Sequence, residues 1–164
     1  MLLLAKKMNE LDFGQLMQVY QGENQKTARK MHPDLPQGQG QLYAEQAFYQ
    51  YLRECFFATA GAVCAIWEEN GRYVSALRLE PYRDGLALTA LETIPSARRQ
   101  GFAKKLVEAV LNCNSGTKIY SHVKKANSAS LALHESCGFF KILDYAVYLD
   151  GSVLQNCVTF CNKK

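Results

Sequence analysis

Asn70-Gly71 sits between two short apolar runs, Ala62 to Trp67 and Tyr73 to Leu79. That dipeptide is the strongest local hairpin signal, because a type I′ turn needs positive φ at both central positions. A third run, Leu86 to Ile94, comes after the Pro81 and Asp84-Gly85 turn and stops at Pro95. Three adjacent strands are therefore expected in the middle of the chain.

The pattern on either side is helical. Asn9 is a good cap for a first helix carrying Leu11, Leu16, Val19 and Tyr20. A continuation covers Gln25 to Met31, and an irregular stretch from His32 to Gly40 holds Pro33 and Pro36. Ala44, Phe48, Tyr51, Leu52, Cys55 and Phe56 then recur at three and four, which makes an amphipathic helix. Beyond Gly101, the residues Phe102, Ala103, Leu106, Val107 and Val110 form another helical face. Lys118 to Val123 reads as a strand, Ser128 caps a helix through Leu131 and Leu133, and Gly138 stops it. Phe139 to Leu149 and Val153 to Phe160, joined at Asp150-Gly151, close the chain as a hairpin, and Met1 to Ala5 opens it as a strand. This order specifies an α/β (α+β) domain with a mixed sheet whose fourth and fifth strands are parallel. With 164 residues, a single domain over 1–164 is expected.

Composition narrows the function. The net charge of +4 supports neither a nucleic-acid binder nor a membrane binder, and no apolar run reaches the ~18 residues of a membrane span. The apolar start halts at Lys6-Lys7, too short for an export signal, so a cytoplasmic protein is expected. None of the six cysteines forms C-x-x-C, which points to free thiols, with Cys64, Cys157 and Cys161 packed inside and no metal site.

The chemistry gathers in Pro95-Ser96-Ala97-Arg98-Arg99-Gln100-Gly101-Phe102-Ala103, between a strand and a helix. Free N–H groups at a helix start bind anions, and the helix dipole adds to this. Arg98, Arg99 and Lys104 bring positive charge to the same place. A pyrophosphate is the natural guest, although neither the nucleoside-triphosphate loop pattern nor G-x-G-x-x-G is present.

Arg98-x-x-Gly101-x-Ala103 resembles the coenzyme A pyrophosphate loop of the GNAT-type N-acetyltransferases. Asn127-x-x-Ser130-x-x-Leu133-His134-Glu135-x-x-Gly138-Phe139 is similar to a second segment of that family, with His134 where the family often has Tyr. The two matches cover about residues 72–149 and stand in the family's order. The resemblance implies a mostly antiparallel central sheet with a parallel strand pair at the cofactor site, flanked by helices. It implies an acetyl-coenzyme A-dependent N-acetyltransferase acting on a small-molecule or amino-acid-like primary amine by direct attack; a homodimer is a possible assembly. A non-catalytic acyl-coenzyme A sensor is the alternative.

The same resemblance assigns cofactor contacts to Glu92, Thr93, Arg98, Arg99, Gln100, Gly101, Phe102, Ala103, Lys104, Asn127, Ser130 and His134. A backbone N–H at Glu92 or Thr93 would face the thioester oxygen. His134 would protonate the leaving thiolate, its side chain aimed into the gap between the parallel strands. Glu92 is the candidate base, the only carboxylate on its strand and in an apolar row with Leu86, Leu88 and Ala90; Glu80 is held in reserve. Trp67, Arg78, Tyr82 and Tyr145 are candidate walls for the acceptor.

Overall fold

The Asn70-Gly71 turn has φ of 51° and 76°, both in the left-handed region that the hairpin requires. It joins strand β2 (Val63–Glu69) to β3 (Arg72–Tyr82), and Trp67 lies opposite Ser75 across it. The computed structural model describes residues 1–163. Strand β1 (Leu2–Ala5) pairs antiparallel with β2, and β4 (Gly85–Thr93) pairs antiparallel with β3. Strand β5 (Lys118–Lys124) runs parallel to β4. The sheet has seven strands in the order β1-β2-β3-β4-β5-β9-β6, with β6 at Phe140–Leu143 and β9 at Cys157–Cys161. The mixed sheet and its one parallel pair match the expected architecture.

Helices cover both faces. On one side stand α1 (Phe13–Val19), α2 (Gln21–Met31) and α3 (Gln37–Tyr51), the last continuing into a π turn over Leu52–Phe56. Leu16, Val19, Tyr20, Leu52 and Phe56 pack there against Cys64, Ile66 and Ala76 of the sheet. On the other side α4 (Phe102–Cys113) buries Leu106, Val107 and Val110 against Leu77, Leu79, Leu88 and Ile119. α5 (Ser128–Ser136) adds Leu131 to that layer. Alternation along β3 sorts the layers: Leu77 and Leu79 face α4, while Ala76 faces α1 and α2.

Several expected boundaries move. Asp12, not Asn9, caps the first helix, its carboxylate accepting from Gln15 N–H at 3.0 Å, while Asn9 lies in a short 3₁₀ turn. α3 begins directly after Pro36 and runs through Gly38 and Gly40, because packing against α2 outweighs their poor helix propensity. Asn127 rather than Ser128 caps α5, accepting from Ser130 N–H at 3.1 Å. The closing segment is not a simple hairpin. β9 inserts between β5 and β6, and the intervening chain forms its own small ribbon of β7 (Ala146–Val147) and β8 (Val153–Leu154). The six cysteines are free, with Cys64, Cys157 and Cys161 buried. No described helix is long and apolar enough to cross a membrane.

Gly85 opens β4 where β5 presses closest. A Cβ there would stand 2.1 Å from the Lys118 carbonyl oxygen, so only glycine allows the parallel pair to begin in register. Gly85→Ala is expected to cost about 1–3 kcal/mol, the usual range for overpacking against backbone that cannot yield. A lower urea midpoint at unchanged slope is the expected reading.

Candidate functional site

β4 and β5 are bonded only from Gly85/Lys118 to Leu88/Ser121. Two residues later the β3–β4 register slips, between Ala76 and Arg78, and Ala90 takes φ of 51°. This is a bulge, which bends the strand and re-aims the residues beyond it. The hydroxyl of Tyr20, brought in from the end of α1, donates to the Ala90 carbonyl at 2.9 Å. Burial pushes the Tyr20 pKa up, so the phenol stays a donor. Past the bulge, β4 no longer pairs with β5, and a cleft of ≈ 710 Å³ opens at this end of the two strands. That is where ligands gather in open sheets with parallel strands.

The floor of the cleft is the turn into α4. Pro95–Ala97 make a 3₁₀ turn, and Arg99 and Gly101 take φ of 64° and 81°. Lys105 N–H makes the bond to the Gly101 carbonyl at 3.0 Å. The N–H groups of Phe102, Ala103 and Lys104 therefore precede the first intrahelical bond and point out of the helix. A Cβ built on Gly101 meets nothing within 4 Å, so open space adjoins those donors. Arg98, Arg99 and Lys104 border that space. Arg98 is held by its Nε donating to the Thr93 carbonyl at 3.1 Å. Lys105 lies over the Phe102 ring at 5.0 Å and is not among the lining residues.

α5 forms the facing wall. Asn127, Ser130 and Leu133 line the cleft, with Ala129, Ala132 and Ser136 beside them. These small residues fall at helical spacing, a row visible in the sequence but lost among ordinary alanines and serines. Leu91 and Lys26 complete the lining. Nothing in the sequence flags Lys26; the fold carries it there when α2 crosses the end of β4.

Of the twelve residues expected at the cofactor, ten line the cleft: Glu92, Thr93, Arg98, Arg99, Gly101, Phe102, Ala103, Lys104, Asn127 and Ser130. Gln100 does not; its amide bonds the Ser96 carbonyl at 2.9 Å and braces the loop. His134 does not either. It is 2% exposed and turned into the core, with ring centroids 5.2 Å from Phe139 and 5.7 Å from Phe160. Its Nδ1 donates to the Ser130 carbonyl at 2.7 Å, which fixes the tautomer and leaves Nε2 buried without a partner. The expectation that His134 aims into the strand gap fails because the apolar surfaces of Phe139 and Phe160 claim its face of α5.

Glu92 stands at the inner end of the cleft, half-buried. Desolvation raises its pKa, and Glu23 adds to this, while Arg98 and Lys26 pull it down. The Arg98 contact is 3.7 Å and solvent-exposed on the arginine side, so it is a weak restraint. Ser75 donates to the Glu92 carbonyl at 2.8 Å and accepts from the Thr93 hydroxyl at 3.0 Å. Ile94 N–H donates to the Val74 carbonyl on β3 at 3.0 Å. N–H groups alternate between the two edges of a strand, so Thr93 N–H, and not that of Glu92, faces away from β3.

The remaining candidates lie elsewhere. Trp67 packs on the α4 side, on the opposite face from α1 and α2. Glu80 accepts from the Tyr51 hydroxyl at 3.2 Å. Tyr82 donates to the Val147 carbonyl, Tyr145 is part-exposed, and Arg78 lies beneath the aromatic rings of α3.

Residues 25–139 match the family model described as acetyltransferase (GNAT) family. A search of curated proteins finds no match. Among solved structures, the ribosomal-protein-S18-alanine N-acetyltransferase from Escherichia coli is similar, at TM-score 0.61 and 18% identity over 98% of this chain and 92% of that one. The PaiA N-acetyltransferase from Thermoplasma acidophilum, in complex with coenzyme A, gives TM-score 0.66 at 12% identity over 100% and 99%. A spermidine N-acetyltransferase SpeG chimera from Vibrio cholerae and hSSAT gives 0.58 at 16% over 98% and 93%.

The burial of His134 carries a pH signature. Desolvation lowers its pKa below the usual 6.5, against the pull of the Ser130 carbonyl, and burial lowers that of His122 as well. A histidine depressed in the folded state binds its proton more readily when unfolded, so stability falls as pH drops through about 6.5. The urea midpoint is expected to decline between pH 7.5 and 5.5, and less steeply in His134→Asn.

Proposed function

Because the chain belongs to the acetyltransferase (GNAT) family, we propose that it transfers an acetyl group from acetyl-coenzyme A to a primary amine of a small-molecule or amino-acid-like acceptor, by direct attack. The observation that carries this reading is the cleft itself: two parallel strands part beside a helix start whose free N–H groups face open space among cations. In this reading the whole of residues 1–164 acts as one domain, since β1 and β9 pair into the same sheet as the matched segment.

The residues fit a coenzyme A pyrophosphate. Phe102, Ala103 and Lys104 N–H groups supply donors, Gly101 leaves room for close approach, and Arg98, Arg99 and Lys104 supply charge. When bound, acetyl-coenzyme A supplies an activated thioester. Thr93 N–H, facing the cleft, serves as the fixed donor toward developing negative charge. Among the described residues the Nδ2 of Asn127 has no hydrogen-bond partner and is available to a ligand, while its Oδ1 is committed to capping α5. Glu92 takes up the proton of the acceptor amine as the new N–C bond displaces the C–S bond, and the departing thiolate takes its proton from solvent in the open cleft. The half-buried site of Glu92 favours the neutral acid more than water does, which suits a group that must accept a proton near neutral pH. His134 acts by holding α5 against the sheet, through Ser130 and its two phenylalanine neighbours.

Coenzyme A is expected to raise the melting temperature of the wild type, by binding only the folded state. Gly101→Glu, which fills the open space and adds like charge, is expected to abolish that shift; an undiminished shift would overturn the phosphate-loop assignment. With acetyl-coenzyme A and an amine panel, thiol release separates an enzyme from a sensor. Glu92→Gln is expected to lower turnover about 10²–10⁴-fold with cofactor affinity retained.

A further inference from the structure

Four buried side-chain polar atoms among the described residues have no hydrogen-bond partner: Arg78 Nε, Thr89 Oγ1, His122 Nε2 and His134 Nε2. Buried polar groups are nearly always paired, so each orphan asks for an explanation. His134 is walled in by aromatics. The other three stand in a row. Arg78 and Thr89 are direct cross-strand partners on β3 and β4. Thr89 and His122 are the next residues after Leu88 and Ser121, the last bonded pair of β4 and β5. Neighbouring strands lie ~4.8 Å apart, so the row spans about 10 Å. It crosses the sheet at the point where β4 and β5 part, on the face opposite α4, which is also the face of Ala76, Ala90 and Tyr20.

The three orphans differ in kind. Arg78 is a cation with no carboxylate within 4 Å among the described residues, stacked beneath Phe48, Tyr51 and Phe56 at 5.5, 5.1 and 5.8 Å. A partly buried guanidinium without a counter-ion is costly unless something supplies one. Thr89 brings a hydroxyl beside it. His122 brings a lone pair, and its tautomer is set by its neighbours. Thr159 donates its single hydroxyl proton to the Tyr145 carbonyl at 2.7 Å, so towards His122 Nδ1, at 3.1 Å, it can only accept. Nδ1 then carries the ring proton and Nε2 is bare. Burial and the nearby Arg83 lower the ring's pKa against the pull of the Val147 carbonyl, and Tyr82 and Tyr148 close it in at 5.4 and 5.0 Å.

We propose that the Arg78–Thr89–His122 row is the acceptor site, and that the acceptor is an amine carrying a carboxylate: Arg78 and the Thr89 hydroxyl donate to the carboxylate, and His122 Nε2 accepts an N–H of the acceptor. This rests on the acetyltransferase reading and names the substrate class within it. The row lies on the same sheet face as Glu92, which is paired with Ala76, so the amine of such an acceptor meets the proposed proton acceptor without crossing the sheet.

The test is a panel of primary amines, each offered as the free carboxylate and as its carboxamide, with acetyl-coenzyme A as donor and thiol release as the signal. Coenzyme A binding is read separately from the melting temperature. Wild-type protein is expected to prefer the carboxylate member of a pair at least tenfold in kcat/KM. Arg78→Met keeps the packing beneath the rings and removes the charge; it is expected to raise KM for the carboxylate tenfold or more, to erase the preference, and to leave the coenzyme A shift intact. His122→Phe keeps the ring and removes the lone pair, and is expected to lower kcat/KM tenfold or more for both members. A panel with no carboxylate preference, including one in which nothing turns over while coenzyme A still binds, overturns the site but not the cofactor assignment. Unchanged kinetics in either variant removes that residue from the site. Failure of the wild type to bind coenzyme A overturns the acetyltransferase reading and the acceptor site together.

Discussion

A strand in the middle of a sheet must either bond both neighbours or give up a row of backbone groups. Here the choice is made at Ala90. Its left-handed conformation shifts the β3–β4 register just past the last β4–β5 pair, Leu88/Ser121, and from there β4 stays apart from β5 without leaving β3. A non-glycine residue held at positive φ costs of order 1 kcal/mol or more and persists only when its surroundings fix it. Tyr20 supplies the fixing, by donating a buried hydroxyl to the Ala90 carbonyl. The cleft, the exposure of the Thr93 N–H and the position of Glu92 all stem from that one bent strand.

Charge is then distributed along the opening in a definite order. The helix start and its cations lie at one end, where Arg98 is tied back to the Thr93 carbonyl. Lys26 and Glu23 of α2 stand over Glu92 and act on it in opposite senses. The carboxylate is left with desolvation as its dominant influence, because its nearest cation is too far away and too wet to hold it charged. The sheet thus separates an anion-binding end on the α4 side from a proton-handling end on the α1–α2 side, with the bend of β4 between them.

Much of this was legible in the residues. Asn70-Gly71 announces its turn because both residues tolerate positive φ, and the strands on either side are marked by runs of apolar residues. The loop before α4 shows itself through Gly101 and a concentration of arginine. The bulge was not legible, since alanine at positive φ has no sequence signal and is forced by tertiary contacts alone. The same limit hid the direction of His134. A helix position fixes which way a side chain leaves the backbone, but Phe139 and Phe160 decide which side of α5 is core. Asn127 and Ser128 are equally good caps on paper, and only the path of the chain leaving β5 selects the first. Lys26 and the β7–β8 ribbon depend on where distant segments fall, which local pattern does not carry.

The parting of β4 from β5 gives the sheet a third edge. Its outer edges are β1 and β6. The third lies inside the molecule, where the ends of β4 and β5 carry main-chain donors and acceptors with no strand between them. Edges of that kind usually invite association with another polypeptide. This one is walled by α5 on one side and by the α4 turn on the other. An extended chain laid between the two strands meets donors and acceptors from both, so the feature that would be an aggregation hazard at an outer edge becomes a binding slot between α5 and the α4 turn.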